Sequence, residues 1–337
     1  MGMRNGMMAG RMVSAGIVMV LLGLAALSAP PLHAGGWPQE VGKSFIKITY
    51  GSSSSNTVYR FDGATKPPTD NGGATVTDFP LADRGLFLYI EHGLTENLTL
   101  VGEAAVKRSI ITSPLEERTT EGLGDIGLAA RYRVWHQGPH VLSARAGITL
   151  PTGYRRDITP PLGNGVPTVS LGAEYGVSFY PIPAYATASA GYRMRPSIYG
   201  LSTLEDDTRE FAPNFADIVY ADAEVGYTIA KRVLVKAGAR FLTTTRSDDN
   251  DFDVRHPPET ERYLKVGGGL AAAVWNGFDI SADLFVTPLG LKTANSTDLF
   301  IGISWKGSLF GAAAASPGAA PTPPPAEPTP PAGSANP

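Results

Sequence analysis

The segment VSLGAEYGVSF, residues 169–179, places an apolar or aromatic side chain at every second position. Polar residues and glycines occupy the positions between them. Successive side chains of a β-strand point to opposite faces, so this pattern predicts a strand with one apolar and one polar face. On a helix, the same residues would be scattered around the cylinder.

Two other segments repeat the alternation and place their charges on one face only. In DIGLAARYRVW (125–135) that face carries one aspartate and two arginines, and in IVYADAEVGYT (218–228) it carries one aspartate and one glutamate. So many charges do not fit a dry protein core, because an unpaired buried charge is costly. We therefore expect the apolar face to contact lipid and the polar face to line a lumen.

Twelve alternating segments follow one another along the chain, and many approach the 9–11 residues that a tilted strand needs to cross a bilayer. The connections between them alternate between short and long, which is typical of bacterial outer-membrane barrels. The sequence thus predicts an all-β protein, a transmembrane antiparallel up-and-down β-barrel of about 12 strands. The segments lie near residues 43–50, 85–94, 98–109, 122–135, 141–150, 167–180, 185–195, 216–228, 232–243, 261–275, 278–289 and 297–306.

Two alternatives to this architecture remain open at the level of the sequence. The long loop at residues 51–84 contains TVYRF and ATVTDF, which could form one more hairpin and give 14 strands, or the loop could constrict the lumen. A soluble β-sandwich or barrel would also show alternation, but it would draw its aromatic residues into the core.

The composition agrees with a barrel and excludes several classes of protein. The chain has 337 residues, of which 43% are hydrophobic and 18% are charged, and it contains no cysteine. A chain without cysteine has no disulfide, thiolate metal site or lipoprotein anchor. The formal net charge of -3 argues against a nucleic-acid partner, which requires a basic surface.

Both ends of the chain differ from its middle. Residues 1–34 carry two arginines, no acid and the apolar run GIVMVLLGLAALSA, which predicts a signal peptide cleaved after Ala34. The alternative is a retained anchor, for which the run is shorter than the ~20 residues that span a bilayer. Residues 35–310 would then form the barrel. Residues 311–337, with nine prolines and nine alanines, would form a disordered periplasmic tail able to contact the cell wall.

Aromatic residues cluster beside the short turns and at the end of the last strand. We interpret them as an aromatic girdle at the periplasmic interface of the membrane. Both termini would then lie in the periplasm, and the outer face would contact outer-membrane lipid and lipopolysaccharide. The girdle residues are Trp135, Phe179, Tyr180, Tyr185, Tyr227, Trp275, Phe278 and Trp305.

The polar face carries charges of both signs, and an interior of this kind must hold water or be braced by ion pairs. Arg131, Arg133 and Arg145 lie on adjacent predicted strands, where they could attract anionic solutes such as carboxylates. The alternative is that they brace the barrel against Glu103 and Glu174. The predicted lumen residues are Glu103, Arg131, Arg133, Arg145, Glu174, Arg193, Asp222, Glu224, Lys236, Arg240 and Lys265.

One region carries a resemblance to a known family. Residues 122–156, GLGDIGLAARYRVWHQGPHVLSARAGITLPTGYRR, include the motifs Gly-Leu-Gly-Asp, Tyr-Arg and Leu-Pro-Thr-Gly. In these motifs, and in EHGLTENLTL at residues 91–100, the chain resembles the outer-membrane family of the MetA pathway of phenol degradation. The resemblance implies an outer-membrane β-barrel that passes hydrophobic or aromatic compounds, loosely like the FadL-type channels. It identifies no functional residues, and the Pro-rich tail departs from barrels that end at an aromatic strand.

The sequence contains no recognisable catalytic or metal-binding pattern. The histidines after the predicted signal peptide are His92, His136, His140 and His256, and the first three fall on the periplasmic side, away from the outer rim where a barrel hydrolase would act. No Gly-x-Ser-x-Gly or His-Glu-x-x-His motif occurs. The acidic loop at residues 246–259 departs from the EF-hand pattern. We therefore predict no enzyme, no metal and no cofactor.

Two functional hypotheses follow. The first is a channel for the passive uptake of small hydrophobic or aromatic solutes across the bacterial outer membrane. The second is a structural or surface-interaction barrel with a closed lumen. Either would depend on the barrel-assembly machinery for insertion.

Overall fold

The computed structural model describes residues 35–66, 81–112, 117–154, 160–196, 215–230, 232–247 and 259–309. All regular structure in these ranges is β-strand, and no helix among them is long and apolar enough to span a membrane. The strands are β1 (Ser44–Ser55), β2 (Val58–Tyr59), β3 (Thr65–Lys66), β4 (Leu81–Gly93), β5 (Leu98–Thr112), β6 (Glu117–Leu123), β7 (Ile126–Gln137), β8 (His140–Leu150), β9 (Thr168–Ser178), β10 (Ala184–Met194), β11 (Ile218–Ile229), β12 (Val233–Thr244), β13 (Arg262–Trp275), β14 (Phe278–Leu291), β15 (Thr293–Ala294) and β16 (Thr297–Gly307).

Twelve of these strands close into an antiparallel barrel in the order β1, β4, β5, β7, β8, β9, β10, β11, β12, β13, β14 and β16. Closure occurs at β1, which pairs with β4 on one side and β16 on the other; Ile48 lies opposite both Leu88 and Ile303. A closed sheet has no open edge, so its backbone groups are satisfied even where water is excluded. The predicted all-β barrel of 12 strands is therefore confirmed.

The barrel has two unlike ends. Five barrel hairpins close through short turns at one end, called here the short-turn end. In the turn at Asn276 and Gly277, the glycine has a φ of 76°, a conformation for which Asn-Gly is well suited. Ser44 of the first barrel strand pairs with Gly307 of the last, so both ends of the barrel sequence lie at the short-turn end. The opposite end is called the long-loop end.

The predicted alternative of 14 barrel strands is wrong. Strand β2, which follows β1, pairs with β3 on one side and with β15 on the other in a separate three-stranded sheet. The hydroxyl group of Tyr59 donates a hydrogen bond to the carbonyl oxygen of Thr287, which fixes this small sheet to β14 at the long-loop end. The second half of the proposed hairpin, at residues 74–79, lies outside the described residues.

The strand predicted at residues 122–135 begins too early. Residues 122 and 123 belong to β6, which pairs with β5 from Val106 to Thr112, whereas β7 begins at Ile126 and pairs with the first part of β5. Gly124 and Asp125 separate the two strands. The long strand β5 therefore continues beyond the barrel wall and forms a hairpin with β6 at the long-loop end.

The outer face of the barrel is apolar and exposed. Along β16, Leu299, Ile301 and Ile303 are 40%, 53% and 57% exposed, whereas the alternate residues Asp298 and Ser304 are buried. A soluble barrel would bury these large apolar side chains, because exposing a continuous apolar band to water is unfavourable. The face that points outward is thus suited to lipid, and the charged face points into the lumen.

Candidate functional site: the barrel lumen

The interior holds a cavity of about 610 Å³. Seven of the predicted lumen residues line it, together with aromatic side chains from several strands. The predicted residues that do so are Arg131, Glu174, Arg193, Asp222, Glu224, Lys236 and Arg240, and the aromatic residues include Trp37, Phe45, Tyr89, Tyr185, Tyr220, Tyr263 and Phe285. The cavity therefore combines charged groups with apolar ring surface.

Residues 35–43, called here the N-terminal segment, cross the inside of the barrel before β1 begins. The backbone N–H of Gln39 donates to Thr99 Oγ1 of β5 at 2.8 Å, and its side-chain amide donates to Glu91 Oε2 of β4 at 2.5 Å. Glu91 lies near the end of β4 and Thr99 near the start of β5, so these contacts are at the short-turn end. Gln39 itself is 5% exposed.

The start of the N-terminal segment reaches the opposite wall of the barrel. Ser143 Oγ donates a hydrogen bond to the carbonyl oxygen of Gly36 at 2.5 Å. The ring of Trp37 packs on Gly176 of β9, where a Cβ atom would lie only 2.6 Å from a ring carbon. Gly35 lies against the side chain of Thr187 on β10. The N-terminal segment therefore spans the lumen from β4 and β5 to β10.

A buried ion cluster lies beside the N-terminal segment. Arg131 donates from Nε to Glu174 Oε2 at 2.5 Å and from Nη1 to Glu91 Oε1 at 2.8 Å. The arginine side chain is 5% exposed, and both carboxylates are almost as buried. Tyr89 donates its hydroxyl hydrogen to the same Glu91 carboxylate. Arg131 is thus paired with two acids.

Arg145 continues this cluster across the sheet. Its Nη2 lies 2.5 Å from Glu103 Oε1, and its Nη1 lies 3.4 Å from Glu174 Oε1. Arg133, in contrast, donates from Nε to Asn97 Oδ1 at 2.8 Å and so holds a short turn. Arg131 and Arg145 therefore contact the two glutamates considered as bracing partners, whereas Arg133 contacts neither of them.

A second ion cluster lies on the other side of the lumen. Lys236 Nζ is 2.9 Å from Asp283 Oδ1 and 3.4 Å from Glu224 Oε2. Lys47 approaches the same aspartate at 3.9 Å. The hydroxyl group of Tyr185 donates to Glu224 Oε1 at 2.6 Å. Charges of opposite sign therefore cross-link β1, β11, β12 and β14 through the interior.

Towards the long-loop end, two guanidinium groups lie over aromatic rings. The Arg193 guanidinium is 4.6 Å from the centre of the Tyr220 ring, and the Arg240 guanidinium is 4.9 Å from the centre of the Phe285 ring. Asp222 lies 3.7 Å from Arg240. The last predicted lumen residue, Lys265, points inward and pairs with Asp298 at 2.5 Å.

The predicted girdle residues divide into two groups. Seven are on the outer face or at the turns of the short-turn end, and six of these are more than one-third exposed, such as Tyr180 at 88% and Trp275 at 71%. The assignment of Tyr185 to the girdle is wrong, because its side chain points into the cavity and bonds Glu224. Its position along β10 has the same parity as Ser189 and Arg193, which also face inward. The outer group is Trp135, Phe179, Tyr180, Tyr227, Trp275, Phe278 and Trp305.

The motifs that carry the family resemblance meet at the long-loop end. Asp125, from the Gly-Leu-Gly-Asp motif, accepts hydrogen bonds from the Tyr154 hydroxyl at 2.5 Å and from the Asn164 backbone N–H at 3.2 Å. Gly165 N–H donates to the same hydroxyl oxygen at 2.8 Å. Burial raises the pKa of the Asp125 carboxyl, and the hydrogen bond from Tyr154 opposes that rise. This network holds the chain that connects β8 to β9.

A second partly buried acid at this end, Glu261, immediately precedes β13. Burial raises the pKa of the Glu261 carboxyl to about 7, while nearby Arg195 and Lys265 oppose the rise. Arg195 is 3% exposed and donates from Nε to the carbonyl oxygen of Ala216 at 2.6 Å. Glu261 is therefore a titratable group at the long-loop mouth of the barrel.

Sequence reasoning missed the N-terminal segment and the inward-facing aromatic residues. Trp37 and Gln39 precede the first alternating strand, so periodicity assigns them no face. Tyr220, Tyr263 and Phe285 were detectable, because each shares its strand parity with charged inward residues such as Asp222, Lys265 and Asp283.

Several sequence predictions fall outside the described residues. These are the signal peptide at residues 1–34, the tail at residues 311–337, and most of the acidic loop with His256. Within the described ranges, no group of three or more His, Asp or Glu side chains could hold a metal ion.

The fold and lumen together define a transmembrane β-barrel of the outer-membrane type. A family model described as "Putative MetA-pathway of phenol degradation" matches residues 69–287. The chain belongs to this family, and the resemblance noted in the sequence is confirmed.

A solved outer membrane channel has the same fold. An outer membrane channel from Pseudomonas putida F1 is 17% identical, with 82% of this chain and 100% of that chain covered and a TM-score of 0.60. The translocator domain of the autotransporter NalP from Neisseria meningitidis is 11% identical, with 88% and 95% covered and a TM-score of 0.44. A mutant of the monoaromatic hydrocarbon channel TodX is 10% identical, with 80% and 91% covered and a TM-score of 0.44. No curated protein sequence matches the chain.

Proposed function

We propose that this protein is a passive channel of the bacterial outer membrane for small hydrophobic or aromatic solutes, and that it is not an enzyme. The observation that supports the proposal most strongly is the cavity of about 610 Å³ inside a closed barrel, lined by several aromatic rings. Small-molecule sites have about this volume, and they combine apolar rings with a few polar groups. The solute would be held by the rings while it crosses the barrel.

The charges of the lumen are compatible with this role. Arg131 is paired with two carboxylates, and Lys236 is paired with Asp283 and Glu224. Paired charges cost less to keep in a narrow interior than isolated ones. The ion clusters therefore stiffen the wall while leaving the aromatic surface free for a solute.

The placement of the protein in the cell follows from the same proposal. The short-turn end would face the periplasm, so that both termini lie there and the outer aromatic group contacts lipid and lipopolysaccharide. Residues 1–34 would be removed as a signal peptide, and residues 311–337 would extend towards the cell wall. Insertion would use the barrel-assembly machinery.

The second candidate function is a structural barrel with a closed lumen, and the N-terminal segment supports it. This segment crosses the interior and is bonded to both Thr99 and Ser143. A channel requires that a solute passes beside the N-terminal segment or that the segment moves. We propose that the segment moves when a solute passes, so fixing it should stop transport, whereas in a closed barrel there is no transport to stop.

Uptake by cells of a Gram-negative host separates the two functions. The wild type is compared with a Gln39→Cys, Thr99→Cys double variant, whose only thiols are the two introduced ones because the chain has no cysteine. We expect the wild type to increase the initial uptake of radiolabelled benzyl alcohol, and the oxidised double variant to lose this increase until a reductant is added. Uptake equal to that of cells without the protein would contradict the channel and favour the closed barrel.

A further inference from the structure

Two arginines in the cavity differ from the others in how they are held. Arg193 and Arg240 place their guanidinium groups over the rings of Tyr220 and Phe285. The five N–H donors of a guanidinium lie in its plane and point outward from its edge. Both arginines line the cavity, so these edges are available to a molecule within it.

These two arginines form fewer ion pairs than Arg131 and Lys236. Arg131 and Lys236 each contact two carboxylates at 3.4 Å or less. No carboxylate among the described residues forms an ion pair with Arg193, whose neighbours along β10, Tyr192 and Met194, are uncharged. Arg240 has one acidic partner, Asp222, at the long distance of 3.7 Å, and both side chains are about half exposed.

The local charge favours an anion. The two guanidinium groups carry two positive charges, and Asp222 supplies one negative charge beside them. Two guanidinium groups facing the same cavity raise the local potential, and guanidinium edges match the geometry of a carboxylate. The two arginines outnumber the one acid that pairs with them, which favours an anion beside them.

The surrounding surface favours an aromatic body on that anion. Tyr220, Tyr263 and Phe285 all line the cavity near the two arginines. Aromatic rings prefer offset-stacked or edge-to-face contacts with one another, and each such pair adds to the stabilisation from burial. An aliphatic anion would add no aromatic contact to these rings.

We propose that Arg193 and Arg240 form a binding site for small aromatic carboxylates, with the carboxylate on the guanidinium edges and the ring against Tyr220 and Phe285. The inference rests on the proposed channel function and names its solute class. It also assigns selectivity for a negatively charged aromatic solute to the half of the cavity nearer the long-loop end.

Calorimetric titration of the purified barrel in detergent tests this site with three probes, namely benzoate, benzyl alcohol and acetate. We expect benzoate to bind more tightly than either of the others, because only benzoate has both the ring and the charge. Loss of a charge-assisted hydrogen bond should weaken benzoate binding about tenfold in Arg193→Met and in Arg240→Met, with benzyl alcohol unchanged. The matched control is Arg108→Met, which removes an arginine whose side chain is 53% exposed and paired with Glu121 outside the cavity.

Heat-modifiable migration in gels shows whether each variant forms the barrel. A second variant, Arg193→Lys, keeps the positive charge but loses the planar guanidinium edge. Arg193→Lys should bind benzoate with an affinity between those of the wild type and Arg193→Met. Wild-type affinity for benzoate in both methionine variants would overturn the carboxylate site. Absence of benzoate binding by a wild-type barrel that still takes up benzyl alcohol would also overturn the site but leave the channel function standing. Absence of both would overturn the two proposals together.

Discussion

Arg131 Nε lies 2.5 Å from Glu174 Oε2 inside the barrel, and the two residues come from non-adjacent strands, β7 and β9. The strand between them, β8, contributes Arg145, which reaches the same Glu174 carboxylate. The cluster therefore links the wall of the barrel across its interior as well as along its hydrogen-bonded strands. Arg131 also pairs with Glu91, which accepts a hydrogen bond from Gln39 of the N-terminal segment. The cluster that braces the wall therefore also helps to hold this segment inside the lumen.

Replacement of Arg131 by methionine should destabilise the barrel strongly. The substitution leaves Glu91 and Glu174 buried without their main partner, and breaking a buried pair in this way costs about 3–5 kcal/mol. The free energy of unfolding in urea, measured by the loss of heat-modifiable migration, checks this expectation. Arg108→Met breaks an exposed pair and should change the free energy of unfolding by less than about 1 kcal/mol. Equal effects of the two substitutions would show that Arg131 is not a brace.

The inward position of Tyr185 can be tested against the outward position of Tyr227. The chain has no cysteine, so Tyr185→Cys and Tyr227→Cys each carry a single thiol. In lipid vesicles, a small charged methanethiosulfonate reagent should react with the thiol of Tyr185→Cys, which faces the cavity, and far more slowly with that of Tyr227→Cys, which faces lipid. Tyr180→Cys, at a position that is 88% exposed, is the control for full access. Protection at position 185 with reaction at position 227 would reverse the assignment of the two faces.

Ion selectivity should change with pH through Glu261. Burial raises the pKa of this carboxyl to about 7, so it is neutral below that pH and negative above it. A negative charge at the mouth attracts cations, so the preference for cations should rise as the pH increases through 7. Reversal potentials under a salt gradient measure this preference. In Glu261→Gln the change near this pH should disappear, and its persistence would point to another titrating group.

The hydroxyl group of Tyr154 should hold the connection between β8 and β9. Tyr154→Phe removes one hydrogen bond to Asp125 and one from the Gly165 N–H, and each hydrogen bond contributes about 0.5–1.5 kcal/mol to stability. Limited proteolysis of intact vesicles should therefore cleave residues 151–166 faster in this variant. The control is Tyr132→Phe on the outer face, where the side chain is 51% exposed and the cleavage rate should not change.

The period of two along the strands made most of the fold predictable. Alternation in segments such as residues 169–179 assigns each side chain to lipid or lumen, and the alternation of short and long connections gives an even, up-and-down barrel. The same rule places Tyr185 in the lumen. Its closeness to a turn places it in the girdle instead, but that criterion does not distinguish the two faces of a strand.

Other features of the lumen could not be derived from periodicity. The N-terminal segment has no regular secondary structure, and its path depends on contacts such as Gln39 with Thr99, which are distant in sequence. Which acid pairs with which base also depends on the relative positions of non-adjacent strands, as for Arg131 and Glu91. Alternation identified these residues as inward-facing, but only the closed barrel brings them together.

Single-channel recording in planar bilayers tests the central claim, that the lumen is a passage, most directly. The purified wild type should give discrete conductance steps, and the oxidised Gln39→Cys, Thr99→Cys variant should give smaller or no steps until a reductant restores them. A wild type that shows heat-modifiable migration and inserts into the bilayer but gives no conductance steps would contradict the account. If the double variant also gives no steps before or after reduction, a closed structural barrel remains.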